Sequence, residues 1–206
     1  MLDGMLDGAL VHLIDDDEDV RRALAFQLGT AGLAVKVYGS AFPFLEGYKD
    51  APKHVVLSDV RMPEIDGLEL LRRLRDKGYR APVIIMTGHA DVPMAVEAMK
   101  LGAVDFIEKP FADETVLRAI ETALRRQQAR DPAQLDSEFA SRLQTLTERE
   151  RDVLRGLLAG HPNKTIAYDL GLSPRTVEVH RANLMTKTGA SSLSELVRMA
   201  LLAGYS

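Results

Sequence analysis

The chain has 206 residues, a formal net charge of −4 and no cysteine, which excludes a disulfide framework, a thiolate metal site and a cysteine nucleophile. Its apolar content is ample for packed cores, in one large domain or two smaller ones. No apolar run nears the roughly 20 residues that span a bilayer, and the first residues lack a basic-then-apolar signal segment, so a cytoplasmic protein with no membrane role is expected.

Short apolar runs alternate with amphipathic stretches through the first part of the chain, the pattern of a parallel sheet with crossover helices. Strands are expected at Leu10–Ile14, Ala34–Tyr38, His54–Ser58, Pro82–Met86 and Val104–Ile107. Helices are expected at Glu18–Ala31, Ala41–Tyr48, Asp66–Lys77, Asp91–Leu101 and Asp113–Gln127. Five βα units in this length predict an α/β, flavodoxin-like, doubly wound five-stranded parallel sheet, with its site at the carboxyl ends of the strands. The opening MLDGMLDG is a local echo, too short for a structural repeat. The polar stretch Arg125–Arg142 holds one proline, Pro132, and serves either as a flexible tether or as a helical spacer.

The C-terminal part reads as a small all-α domain. Thr147 with Glu150 forms a capping box for a helix from Glu148 to Ala159 that ends at Gly160. A second helix, Lys164–Leu170, opens after Asn163 and stops at Gly171. Ser173-Pro174 then caps a third through Lys187, and a fourth spans Ser192–Leu202. Two helices joined at Gly171 have the helix-turn-helix pattern, which small helical bundles share. The expected domains are 9–128, a linker at 129–142, and 143–206.

Charge divides along the same lines. Residues 1–124 carry 14 basic against 21 acidic side chains, net −7, residues 125–141 balance at 3 against 3, and residues 142–206 carry 9 against 6, net +3. A surplus of that size is common in domains that touch no nucleic acid, so it gains meaning only from where the charges fall.

The strand ends carry the chemistry. Asp15, Asp16 and Asp17 follow the first strand and Asp59 the third. A run of carboxylates before a helix is by itself an ordinary acidic helix start. A second carboxylate arriving at the same edge changes that reading, because crowded carboxylates repel unless a proton or a cation intervenes, and Mg²⁺ takes oxygen ligands. Thr87 ends the fourth strand and Lys109 follows the fifth. A lone Thr or Lys is usually structural or solvated, but a hydroxyl and an ammonium beside an acidic metal pocket supply what an incoming phosphoryl group needs.

These segments, VHLIDDDEDV, LSDVRMPEIDGLELL, IIMTGHADVPMAVEAMKLGA and DFIEKPF, resemble the receiver domains of two-component response regulators over residues 9–128. The resemblance implies Asp59 as phosphoacceptor, with Lys109 and Thr87 acting in the same reaction. It implies Mg²⁺ or another divalent cation held by Asp16, Asp59 and the Arg61 backbone carbonyl, with Asp15 acting largely through water. Thr87 and Phe106 would be the switch pair, and the Lys109–Pro110 bond would be cis. A sensor histidine kinase is the implied partner, and phosphorylation the trigger for a homodimer. Within the family, GHADVPMAVEAMKLGAVDFIEKPF closely resembles the FixJ-type subgroup, which implies nitrogen-fixation or low-oxygen genes.

On the third C-terminal helix, Val177, His180 and Leu184 share a side expected to be core, whereas Arg175, Glu178, Val179 and Ala182 share the opposite side and are placed to face bases. Lys164, Arg181 and Lys187 are placed for phosphates. The texts LTERERDVL, NKTIAYDLGLSPRTVEVHRANLMTKTGA and SLSELVRMAL resemble the LuxR-type helix-turn-helix over residues 143–204. That implies double-stranded promoter DNA and RNA polymerase as partners, a recognition helix beginning with Thr176, Val177 and Val179, a first helix anchored by Glu148, and dimerisation through the last helix. Glu178 and Ala182 in place of basic residues speak against a simple arginine-to-guanine code.

The expected whole is a phosphorylation-activated transcription regulator, not a dedicated enzyme. A haloacid-dehalogenase-like phosphatase needs a second aspartate two positions after its nucleophile, where this chain has Arg61. A phosphate sink is disfavoured by the attached DNA-binding domain. A DNA-binding factor with a vestigial, interaction-only receiver is the remaining alternative.

Overall fold

Runs of Val, Ile and Leu in the first part of the chain form strands because both sheet faces are covered, which favours continuous apolar segments. A computed structural model describes residues 8–88, 92–128 and 141–205; the opening echo up to residue 7 and most of the expected linker lie outside them. In chain order the first part contains β1 (Leu10–Ile14), α1 (Glu18–Thr30), β2 (Ala34–Tyr38), α2 (Ala41–Gly47), β3 (His54–Asp59), α3 (Gly67–Asp76), β4 (Val83–Thr87), α4 (Val92–Lys100), β5 (Asp105–Glu108) and α5 (Asp113–Gln128). The sheet is five-stranded in the order β2-β1-β3-β4-β5, with every pairing parallel. The expected fold is observed.

The last three strands end one residue later than expected, and β4 and β5 also begin one later. Pro82 has no N–H to place in a ladder; it contributes only its carbonyl, which accepts from the Val56 amide at 2.9 Å, and β4 begins at Val83. The extra residues are Asp59, Thr87 and Glu108. Ladder pairing of Asp59 with Met86 and of Thr87 with Glu108 therefore reaches to the edge of the site.

Helix caps and apolar spacing account for the crossovers. The Asp17 carboxylate accepts from the amides of Asp19 and Val20 at the start of α1, and Asp66 accepts from Glu69 N at the start of α3. On α5, Val116, Ala119, Ile120, Ala123 and Leu124 repeat at helical spacing, and all are buried in a core shared with Val11, Leu13, Leu57, Ile84 and Met86.

A ring of aromatic side chains packs on one face of the sheet around His12, which is only 4 % exposed. Its Nδ1 lies 3.2 Å from the Tyr38 hydroxyl and its Nε2 3.2 Å from His54 Nδ1, with the Phe44 and Tyr48 rings edge-on. Burial, followed by the nearby His54 and Lys36, lowers the His12 pKa from 6.5 to about 4. Unfolding frees the ring to bind a proton, so its contribution is fully present above about pH 6.5 and is lost as pH falls toward 4, by roughly 2 kcal/mol. Urea unfolding followed by the near-ultraviolet tyrosine signal checks this. Wild type should lose more stability than His12→Phe between pH 7 and pH 4.5, and equal losses would refute it.

The C-terminal part contains α6 (Glu148–Leu158), α7 (Asn163–Leu170), α8 (Pro174–Thr188) and α9 (Leu193–Leu202). The chain divides by compactness into a unit built on the sheet and a unit built on these helices, with the segment that carries α4 grouped with the second. The Thr147–Glu150 capping box is formed, Ser173 caps α8 with Pro174 in its first turn, and Gly171 ends α7 in the left-handed region at φ 64°. Asn163, expected to precede α7, is its first residue, because the Pro162 carbonyl already accepts the first-turn bonds from Thr165 and Ile166. Val153, Leu157, Ile166, Val177, Leu184 and Val197 form the centre of this core. Among the described residues no helix is long and apolar enough to cross a membrane.

Candidate functional site

Parallel register creates the acidic pocket. Ile14 pairs with Ser58, so the next residues along, Asp15 and Asp59, leave adjacent strands side by side. They are 1 % and 6 % exposed. Lys109, one residue beyond β5, reaches both: its Nζ lies 2.7 Å from Asp15 Oδ2 and 2.5 Å from Asp59 Oδ1. The Lys109 amide donates to the Thr87 carbonyl at 2.7 Å, and the Lys109–Pro110 bond is cis. The second oxygens are also engaged. Asp15 Oδ1 accepts from Asp17 N at 2.9 Å, and Asp59 Oδ2 accepts from Arg61 N at 2.6 Å.

Burial raises the Asp59 pKa, the Lys109 contacts oppose that shift, and the Asp15 charge adds to it. Burial works against the Lys109 charge, but bonds to the two aspartates overcome it and hold the ammonium pKa above its usual value. The pocket thus holds two carboxylates in direct contact with one ammonium. Its carboxylate and carbonyl oxygens are donors that suit a hard divalent cation. Among the described residues no three His, Cys, Asp or Glu side chains are drawn together as a metal cluster. The Lys109 ammonium is the cation that bridges Asp15 and Asp59, and Asp16 is exposed. Thr87 is fully buried at the end of β4, and Phe106 is part-buried on β5.

Three positioning residues escape the sequence reading. A Cβ at Gly67 would collide with the Asp59 backbone carbonyl, while the Gly67 amide donates to Val60 O at 2.8 Å, so only glycine lets the loop fold back on the strand end. The DG pair before an apolar helix was the available signal. Arg21 Nη1 donates to Asp15 O at 2.6 Å, and Glu64 holds φ 66° in the loop between β3 and α3; neither is marked by a motif.

In the C-terminal unit, Arg175, Glu178, Val179 and Ala182 are exposed along one side of α8, joined there by Asn183 and Thr186. Val177 and Leu184 are fully buried on the other. Thr176 and His180 lie at intermediate depth; the Thr176 amide donates to Ser173 Oγ, and His180 Nδ1 is buried without a hydrogen-bond partner. Lys164 is exposed on α7. The two other basic residues expected at phosphates are turned elsewhere. Arg181 Nη1 donates to Asn163 Oδ1 at 2.8 Å, and Lys187 Nζ donates to Glu150 Oε2 at 2.7 Å. The anchor of α6 is Glu150, 3 % exposed, rather than Glu148, because the third helical position brings the carboxylate back to the Thr147 amide.

Residues 11–121 match the family model for the response regulator receiver domain, and residues 144–200 match that of bacterial regulatory proteins of the luxR family. The chain is a response regulator. It is 55 % identical to the transcriptional regulatory protein FixJ of Rhizobium meliloti (strain 1021), over 95 % of this chain and 96 % of that protein. It is 56 % identical to FixJ of Azorhizobium caulinodans, over 94 % and 92 % of the two chains. A crystal structure of full-length FixJ from B. japonicum is similar at 48 % identity with a TM-score of 0.54, covering 96 % of this chain and 98 % of that one. The regulator is therefore a FixJ-like, phosphorylation-dependent transcription regulator with a LuxR-type DNA-binding domain, rather than a dedicated enzyme.

The buried Glu150 is central to the regulator's helical domain. Burial opposes its charge, and bonds from Lys187 and Thr147 overcome that and hold its carboxyl below the usual glutamate range. Glu150→Ala removes half of the capping box and leaves Lys187 without its partner. The expected loss is about 1–2 kcal/mol for this domain, mostly from the lost cap because the exposed Lys187 is taken up by water, read as a lower thermal midpoint of helical circular dichroism. A change below about 0.5 kcal/mol would assign Glu150 no structural weight.

Proposed function

We propose that Asp59 accepts a phosphoryl group from a phosphohistidine of a sensor histidine kinase, and that the acyl phosphate switches the regulator into a homodimer that binds paired sites in promoter DNA. An Asp59 carboxylate oxygen attacks phosphorus, the phosphorus–nitrogen bond breaks, and the histidine nitrogen leaves with its electron pair. Lys109 stays beside the reacting oxygen and stabilises the charge on the phosphoryl group. Asp15, Asp16, Asp59 and the Arg61 carbonyl would hold Mg²⁺, which when bound supplies charge neutralisation and orientation of the phosphoryl oxygens. The observation that carries this reading is the Asp59 carboxylate, nearly buried, with Lys109 Nζ at 2.5 Å and Asp15 alongside.

The new phosphoryl oxygens draw in the Thr87 hydroxyl, and Phe106 follows into the space it leaves. The population shifts only as far as these contacts differ between the two states. Residues 9–128 form the receiver, 129–142 the linker and 143–206 the DNA-binding domain. Arg175, Thr176, Glu178, Val179 and Ala182 face the groove and Lys164 a phosphate, while Arg181 and Lys187 hold α8 in place. The regulator acts in the cytoplasm, recruits RNA polymerase, and controls nitrogen-fixation or low-oxygen genes, in line with its FixJ-type sequence.

Incubation with acetyl phosphate tests the reading. Intact mass should rise by one phosphoryl group with Mg²⁺ present and stay unchanged with excess EDTA, and DNA affinity should rise with the mass. Modification without any change in DNA binding would sink the coupling, and no modification would leave the receiver as an interaction module.

A further inference from the structure

The C-terminal helices carry a surplus of positive charge, and four of their six acidic side chains have internal work; of the other two, Glu148 lies in the first turn of α6, where a carboxylate suits the helix dipole, and Glu178 stands on the exposed face of α8. Glu150 is buried against Lys187, Asp152 pairs with Arg155, Asp169 faces His161, and Glu195 accepts from the amide and hydroxyl of Ser191. Glu178 is exposed, and among the described residues it accepts no hydrogen bond and closes no ion pair. Arg181, whose charge acts on Glu178, donates to Asn163 at 2.8 Å instead of closing an ion pair with that carboxylate.

We infer that Glu178 is a specificity-determining residue that reads the N4 amino group of cytosine in the major groove and disfavours DNA that lacks cytosine at that position. The inference rests on the proposed binding of DNA by α8. A free carboxylate on a face that meets phosphates opposes the counterion release that drives sequence-independent binding. It therefore weakens binding to arbitrary duplexes. That loss is recovered only where a base edge donates to it; in the major groove cytosine N4 and adenine N6 both donate, but the adenine amino group sits beside the N7 acceptor, which repels a carboxylate, so cytosine is the favoured partner. Val179 and Ala182, exposed on the same side, offer only apolar contact, which suits thymine methyl groups. Discrimination at this step thus comes from a penalty on wrong sequences as much as from attraction to the right one.

The test uses the full chain phosphorylated with acetyl phosphate and Mg²⁺. Two probes are compared: a random-sequence duplex, and the duplex that wild type enriches from a randomised pool. Glu178→Ala should bind the random duplex about three- to tenfold more tightly and the enriched one more weakly, so that their ratio falls about thirtyfold or more. Enrichment repeated with Glu178→Ala should lose a cytosine preference at one position of each half-site. Glu178→Gln should move that preference toward adenine, which the amide pairs with through N6 and N7. An unchanged ratio, or an unchanged enriched sequence for both variants, overturns the inference. Failure of wild type to enrich any duplex would instead overturn the DNA-binding reading on which it rests.

Discussion

Asp59→Asn should take up phosphoryl groups from acetyl phosphate at least about a thousandfold more slowly than wild type, a loss of ~4 kcal/mol of transition-state stabilisation. The amide has no anionic oxygen to attack phosphorus, and no other carboxylate has the same setting: Asp15 lies deeper and shares its oxygens with Asp17 N and Lys109, and Asp16 is exposed. Intact mass over time measures the rate, and DNA binding should stay at the unphosphorylated level under every condition. The fold should survive, since asparagine is isosteric and still accepts the Lys109 hydrogen bond. An undiminished mass gain in this variant would move the acceptor to another residue.

Lys109→Ala should be the most destabilising change in the acidic pocket. It leaves Asp15 and Asp59 side by side, buried, with nothing between them. Breaking a buried pair costs about 3–5 kcal/mol, and protonation of one carboxylate relieves part of it, so a net loss of about 2–4 kcal/mol at neutral pH is expected. The Asp59 carboxyl, already raised by burial, rises further without the ammonium that opposes that shift. A group whose folded pKa lies above its unfolded value stabilises the fold below the unfolded pKa and loses that contribution as pH rises. The deficit of Lys109→Ala against wild type should therefore shrink from pH 7 to pH 5, and Mg²⁺ should also reduce it by binding only the folded form. Phosphoryl uptake should fall about a hundredfold with the loss of the positioned charge. Equal thermal midpoints for variant and wild type across that range would show that Lys109 carries no such load.

The pocket was legible because its parts sit at strand ends. Apolar runs mark the strands, each run stops where a polar residue begins, and in a parallel sheet all those stops face one edge. Asp15, Asp59, Thr87 and Lys109 could therefore be placed together before any distance was known. The caps were legible for a similar reason: Thr147 with Glu150 and Ser173 with Pro174 act within a few residues of themselves. Gly67 was harder, because its requirement comes from the carbonyl of Asp59, folded back against it by the intervening loop.

The directions of long charged side chains were not legible at all. Helical spacing placed Arg181 and Lys187 on the flanks of α8, where either could have met a phosphate. Their actual partners, Asn163 of α7 and Glu150 of α6, are 18 and 37 residues away. The partner of a flexible base is chosen by whatever acceptor the neighbouring helix presents within reach, which is a property of helix packing. His12 shows the same limit: its depressed pKa comes from burial and from His54 across the sheet, 42 residues on.

By itself, then, the sequence determined the order of the elements, the edge where the acidic pocket lies, the residues that enter it and the exposed side of α8, because each depends on local periodicity or on strand ends. Only the tertiary structure decided that Lys109 bridges both aspartates, that Gly67 must lack a side chain, and that Arg181 and Lys187 brace α8 while Glu178 stands free. Those outcomes depend on distances between elements remote in the chain, and such distances are set by packing.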